Sequence, residues 1–125
     1  MATAQEKIVT EFLAAWPRKN VDELMSYFAP DAVYHNIPVP PIEGADAIRK
    51  VFEGFVGAFS IVLDVVNIAS NGDLVFTERV DRFVMGNKKF DLPVNGVFEL
   101  RNGKIVSFRD YFDLATFERP SGLKL

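Results

Sequence analysis

Apolar residues recur along this chain at two different spacings, and the change from one to the other divides it. From 3 to 17 they fall three and four residues apart, with Ile8, Phe12, Leu13 and Trp16 on one stripe and Gln5, Glu6, Lys7 and Glu11 turned mostly to water. That predicts an amphipathic helix, ended by Pro17. A second, short helix is expected behind Asn20, which can cap its free amides, with Glu23 at the capping-box position and Pro30 closing the unit. Helical spacing returns from about 45 to 58, where Ile48, Val51, Phe52, Phe55, Val56 and then Phe59 make a broad apolar face. Gly54 and Gly57 lower its propensity, so packing must hold that helix together.

Beyond Ser60 the period becomes two, and strands are expected at about 61 to 69, 74 to 85, 89 to 101 and 104 to 112, after one earlier strand at 32 to 37. The separators "SNGD", "MGNK" and "RNGK" are Asn/Gly turn sequences short enough to make the last strands antiparallel neighbours. "GNKKF" and "NGVFELRNG" also read as turns, without the spacing of a phosphate-binding loop. Helices first and a meander afterwards argue an α+β fold, one curved sheet with about three helices packed over its concave face. Strand 74 to 85 has apolar residues in both phases, since Leu74, Phe76, Val80 and Val84 oppose Val75, Phe83 and Met85. Three modest helices cover one face of a sheet, so a second copy of the chain, in a homodimer, is expected on the other.

Composition narrows the function classes. The 125 residues suit a single domain, 1 to 125, burying roughly two thirds of its extended-chain surface. A net charge of −3, without a Lys/Arg block, argues against nucleic acid as a partner. Cysteine is absent and histidine occurs once, at His35, which removes disulfides, thiol nucleophiles and the common zinc ligand sets. No segment reads as a signal peptide or membrane span, so a cytoplasmic protein is expected.

Against that background the polar residues that share a face with apolar ones stand out. Side chains alternate along a strand, so in "ERVDRF" Arg79 and Asp81 point the same way, between Thr77 and Phe83. In "IVSFRDYFD", Asp110 shares its face with Val106, Phe108 and Phe112, and in "AVYHNI" Tyr34 and Asn36 share one face while His35 takes the other. The loop "IPVPPIEG", with Pro38, Pro40 and Pro41, suits a fixed pocket wall. A carboxylate among aromatics needs partners, and a guanidinium can serve two carboxylates with its fixed fork of donors. If Arg79 lies between Asp81 and Asp110, the trio carries −1 with both acids ionised and zero when they share one proton. A dry pocket favours the shared proton and so separates a proton donor from a proton acceptor. Tyr34 and Asn36 are placed to orient a water against the acceptor. Each of these groups also has a plainer reading, as a surface ion pair, a capped structural carboxylate, a core aromatic or a turn former.

The motifs "YHNIPVPPIEG" (34 to 44), "ERVDRF" (78 to 83), "PVNGVFEL" (93 to 100) and "GKIVSFRDYFD" (103 to 113) resemble those of the limonene-1,2-epoxide hydrolase family. That family lies within the cone-shaped α+β superfamily of nuclear transport factor 2, ketosteroid isomerase and polyketide cyclases. The resemblance spans nearly the whole chain and implies a cone-shaped, curved mixed sheet and the one-step, cofactor-free opening of an epoxide. Carried onto this sequence, it makes Asp110 the general base toward a water also held by Tyr34 and Asn36, Asp81 the general acid toward the epoxide oxygen, and Arg79 the link between the carboxylates. Phe108 stands where the limonene enzyme is expected to carry tryptophan, a difference that bears on pocket shape. The competing expectations are an isomerase or cyclase acting on a steroid or polyketide-like ligand, and a non-catalytic module with a ligand-filled cone.

Overall fold

A computed structural model describes residues 2–125. The chain opens with α1 (Ala4–Ala15), whose N-cap Thr3 accepts a hydrogen bond from the Glu6 amide, and continues through a 3-10 turn (Trp16–Arg18) into α2 (Val21–Met25). Asn20 caps α2 as expected, accepting from the Glu23 amide at 3.1 Å. The Glu23 carboxylate does not reach back to complete a capping box; it pairs with Arg18 at 2.7 Å. Then come β1 (Phe28–Asn36), β2 (Ile42–Glu43), α3 (Ala45–Ala58), β3 (Ser60–Asn71), β4 (Leu74–Met85), β5 (Lys88–Arg101), β6 (Lys104–Tyr111) and α4 (Leu114–Ser121).

The strands form one six-stranded sheet in the order β2-β1-β6-β5-β4-β3. Its neighbours are antiparallel except β1 and β6, which run parallel, so the sheet is mixed. The β5–β6 hairpin turns on Asn102 and Gly103, both at positive φ (52° and 75°), the combination a type I′ turn requires. Val9, Phe12 and Leu13 of α1, Ile48 and Phe52 of α3, and the inward strand residues Val75, Phe98 and Ile105 share one core. Phe12 is at its centre, with edge-on contacts to Phe28, Phe98 and Phe108 at centroid distances of 5.3, 6.2 and 5.7 Å. No helix among the described residues is long and apolar enough to cross a membrane.

Other features also depart from the sequence reading, each for a local reason. The chain is already extended at Phe28, and Pro30, expected to close the second helical unit, sits inside β1 where the pairing with β6 shifts register, a position at which the missing amide costs no ladder bond. A bulge in β6 near Val106 changes the phase of the strand, so Ile105 enters the core and Val106 does not share the inward row with Phe108 and Asp110. The proline-rich loop does not wall the cavity described below; it packs along the outer end of β1, where the His35 ring donates from Nε2 to the Val39 carbonyl at 2.9 Å. The fourth helix, α4, has no counterpart among the elements expected from the sequence. Asp113 caps it by accepting from the Thr116 amide at 3.0 Å, and Phe117 is its one buried large apolar side chain, too little to show as a period in the sequence.

Candidate active site

The register of the central strands places the polar inward residues in one row across the sheet. Asn36 on β1 is opposite Asp110 on β6, Asp110 is opposite Gly96 on β5, and Gly96 is opposite Thr77 on β4. The adjoining row, one inward step away, is apolar: Tyr34, Phe108, Phe98 and Val75. Its rings are stacked, Tyr34 on Phe108 at 4.9 Å and Phe108 on Phe98 at 4.3 Å, and form a stiff floor beside the polar row.

Arg79 and Asp81 follow Thr77 on the inward phase of β4, and all three are buried. The guanidinium leans back over Gly96 and uses every N–H it has. Nε and Nη2 donate to Asp81 at 3.0 and 2.9 Å, Nη1 and Nη2 donate to Asp110 at 3.1 and 3.0 Å, and Nη1 also donates to the Thr77 hydroxyl at 3.3 Å. Thr77 in turn donates to the Gly96 carbonyl at 3.3 Å. Such a buried charge is tolerable only because its pairing is complete, and at 1% exposure Arg79 is the largest fully buried side chain.

Gly96 makes this packing possible. A Cβ there would lie 2.3 Å from Arg79 Nη1, 2.7 Å from Asp110 Oδ1 and 3.0 Å from Thr77 Oγ1. Asn95 and Gly96 therefore do not form a turn, as their dipeptide suggests; they lie inside β5, where glycine marks the close approach of another group. That use of glycine and the part played by the Thr77 hydroxyl were not visible from local sequence, because both depend on which residues the neighbouring strands bring alongside.

Electrostatics separates the groups of the site. Burial works against the charge on Arg79, but Asp110 and Asp81 outweigh it and hold the guanidinium firmly protonated. Burial drives the Asp110 carboxyl up to about 6, against the downward pull of Arg79 and with a small upward push from Asp81. Burial likewise raises the Tyr34 phenol, helped by the charge of Asp110, so Tyr34 is neutral. Its hydroxyl donates to Asn36 Oδ1 at 3.1 Å, which fixes the amide so that its NH₂ end is the donor left over.

All five residues singled out in the sequence, Tyr34, Asn36, Arg79, Asp81 and Asp110, line one cavity of about 500 Å³, counting the part continuous with solvent at its mouth. Its remaining walls are almost wholly apolar, with Ile61, Phe83, Leu92 and Val94 from the sheet and Phe55 and Phe117 from α3 and α4. Among the described residues no cluster of three or more His, Cys, Asp or Glu is arranged to hold a metal ion. A buried acid–base pair with a fixed neutral donor, inside an apolar pocket, can move protons on a small uncharged substrate.

The chain is similar to proteins whose names point the same way. The mycobacterial epoxide hydrolase EphG, from Mycobacterium tuberculosis, is 30% identical over 106 residues, covering 85% of this chain and 71% of that protein. The solved structure of an M. tuberculosis epoxide hydrolase of the limonene-epoxide-hydrolase-like type superposes with a TM-score of 0.84 at 27% identity, over 94% of this chain and 88% of that one. The fold extends further: an NTF2-like protein of unknown function from Burkholderia pseudomallei, 19% identical, gives a TM-score of 0.86 over 98% of this chain and all of its own. Residues 3–120 match the model of the limonene-1,2-epoxide hydrolase catalytic domain, and the chain belongs to that family of enzymes, within the NTF2-like cone fold.

Proposed function

We propose that this enzyme adds water to a small, largely apolar epoxide and gives a vicinal diol in one step, by general acid and base catalysis without a covalent intermediate. The observation that carries the reading is the double fork of Arg79, which holds Asp81 and Asp110 on either side of one guanidinium at the polar end of an apolar cavity. Asp110 takes a proton from water that Tyr34 and Asn36 help to hold, and Asp81 gives a proton to the epoxide oxygen as the C–O bond opens. The proton lost from water and the proton gained by the alkoxide balance, so the pair ends with one proton, moved from Asp81 to Asp110, and returns to its starting form by exchange with solvent or along the linking groups. Protein groups and water suffice for this chemistry. A steroid isomerase would have no use for a guanidinium that neutralises its acids. The test is a screen of cyclic and terminal epoxides with diol detection, beside a ketosteroid isomerisation assay; diol formation supports the hydrolase, and isomerisation without it contradicts it.

The mechanism needs one shared proton on the pair, and the sign of its pH dependence follows. With Asp110 raised to about 6, the last proton of the pair is lost as pH rises through that value. The expected kcat/KM therefore declines above about pH 6 by roughly tenfold per unit, since it reports the free enzyme. The raised carboxyl also contributes stability that is fully present below the ordinary carboxylate range and is lost as pH climbs to about 6. A pH–rate profile that rises through pH 6 instead would mean that the doubly ionised pair is the active form.

Tyr34→Phe and Asn36→Ala are expected to slow turnover by loosening the attacking water, the second more than the first, because the amide NH₂ is the donor left over while the phenol proton is spent on Asn36 Oδ1. Steady-state kinetics on any accepted epoxide checks the order. For assembly, the proposal is a homodimer through the outer sheet face, where Val62, Val66, Phe76 and Tyr111 are 44, 56, 41 and 45% exposed. Such an interface is expected to bury at least about 1,000 Å² in total. Sedimentation at micromolar concentration is expected to give the dimer mass, and Phe76→Glu to shift it toward monomer.

A further inference from the structure

One of the residues that line the cavity carries a polar atom that the hydrolysis mechanism leaves unused. Trp16 is 5% exposed, it lines the same cavity as the five polar residues, and its Nε1–H is the one buried side-chain polar atom without a hydrogen-bond partner among the described residues. Indole nitrogen is a donor only, so its need can be met by an acceptor and nothing else. Buried donors are nearly always paired, because an unpaired one forfeits its hydration without compensation.

The position of the ring is built and does not result from loose packing. α1 ends at Ala15, Trp16 opens the 3-10 turn that contains Pro17, and the indole lies edge-on to Phe52 at 4.8 Å and to Phe12 at 6.1 Å. Both neighbours are phenyl rings, which offer at best a weak π acceptor. The side-chain acceptors of the cavity already take hydrogen bonds, Asp81 and Asp110 from Arg79 and Asn36 Oδ1 from Tyr34.

We infer that the Trp16 indole N–H binds a neutral acceptor oxygen on the substrate, so that the preferred substrate is an epoxide with a carbonyl, ether or hydroxyl oxygen on its otherwise apolar tail. This rests on the epoxide hydrolase reading and adds a second anchor to it. The three-membered ring is held at Asp81, the tail oxygen at Trp16, and the hydrocarbon between them fills the apolar walls. Two anchors define the direction in which an epoxide lies, which a purely apolar pocket does poorly.

Two measurements test it. The first compares kcat/KM for terminal epoxides with a methyl ketone at the far end of the chain against the same molecules with C=CH₂ in place of C=O, in a series of chain lengths. At the matching length the ketone is expected to be preferred by about tenfold, the worth of one such hydrogen bond, and Trp16→Phe, which keeps a ring and removes the N–H, brings the ratio close to one. The second does not depend on catalysis. The chain has a single tryptophan, so its indole N–H gives one proton–nitrogen correlation in an NMR spectrum. A saturated methyl ketone without an epoxide is expected to move that signal downfield, whereas the matching alkene does not. Such a shift supports the donor role even if no epoxide is hydrolysed, an outcome that removes the hydrolase reading alone. Equal shifts with ketone and alkene, or equal loss of kcat/KM for both substrates in Trp16→Phe, overturns the inference.

Discussion

Asp110→Asn and Asp81→Asn are each expected to lower epoxide turnover by ~10²- to 10⁴-fold while the protein stays folded. The two halves of that expectation have different origins. Activity falls because an amide can neither accept the proton of the attacking water nor donate one to the opening epoxide. The fold survives because of the charge count around Arg79. With both carboxylates ionised the trio carries a surplus negative charge in a buried place, and removing either one leaves a neutral pair of one guanidinium and one carboxylate. Removing one partner of a buried pair is usually severe because it strands the other charge, but here a bidentate partner remains on either side. The double variant is a different matter, since it leaves Arg79 charged with no counterion at 1% exposure. It is expected to unfold at markedly lower denaturant than either single variant. Because acid and base act as one unit, its remaining activity need not be the product of the two single losses. Turnover and denaturation midpoints on the same preparations check both halves.

Gly96→Ala is expected to have an effect of comparable size without altering a single ionisable group. The added methyl carbon would sit 2.3 Å from Arg79 Nη1 and 2.7 Å from Asp110 Oδ1, well inside contact distance. Flexible side-chain ends normally give way cheaply, but these two are tied together and to Thr77 and Asp81. The β5 backbone cannot retreat either, since it is paired on both sides, with β4 and with β6. Something in the trio has to move. Overpacking of this kind costs roughly 1–3 kcal/mol of stability, and a displacement near 1 Å at the reacting groups costs on the order of 10²-fold in rate. Ala at Gly54, where a Cβ meets nothing within 4 Å, is the control and is expected to leave activity alone. Should Gly96→Ala turn over normally, the close packing of Arg79 over β5 is not needed for activity.

The contrast between Arg79 and Gly96 shows what could be read in the sequence. The inward pairing of Arg79 with Asp81, and of Tyr34 with Asn36, follows from strand parity alone, which needs two residues of one strand and no neighbour. Asp110 follows in the same way, although the bulge beside Val106 means that parity holds only from Phe108 onward. The helical stripe of α3 and the boundaries of β4 were similarly clear, because long periodic segments average out local exceptions. Gly96 was not, because "NG" favours a turn and its real environment is made by Thr77 and Asp110 on two other strands. Trp16 read as one more member of an apolar stripe; that its N–H lacks a partner is a property of the packed interior. The helix α4, two turns long with Pro120 inside, has too little periodicity to be seen ahead of its cap.

The most direct test of the proposed mechanism is a single turnover in heavy-oxygen water, with enzyme in excess over an accepted epoxide. Attack by water held against Asp110 places the heavy atom in the diol in that first turnover and leaves both aspartates unlabelled. A first-turnover diol with ordinary oxygen, followed by heavy oxygen in Asp110 or Asp81, would show an ester intermediate and contradict the account.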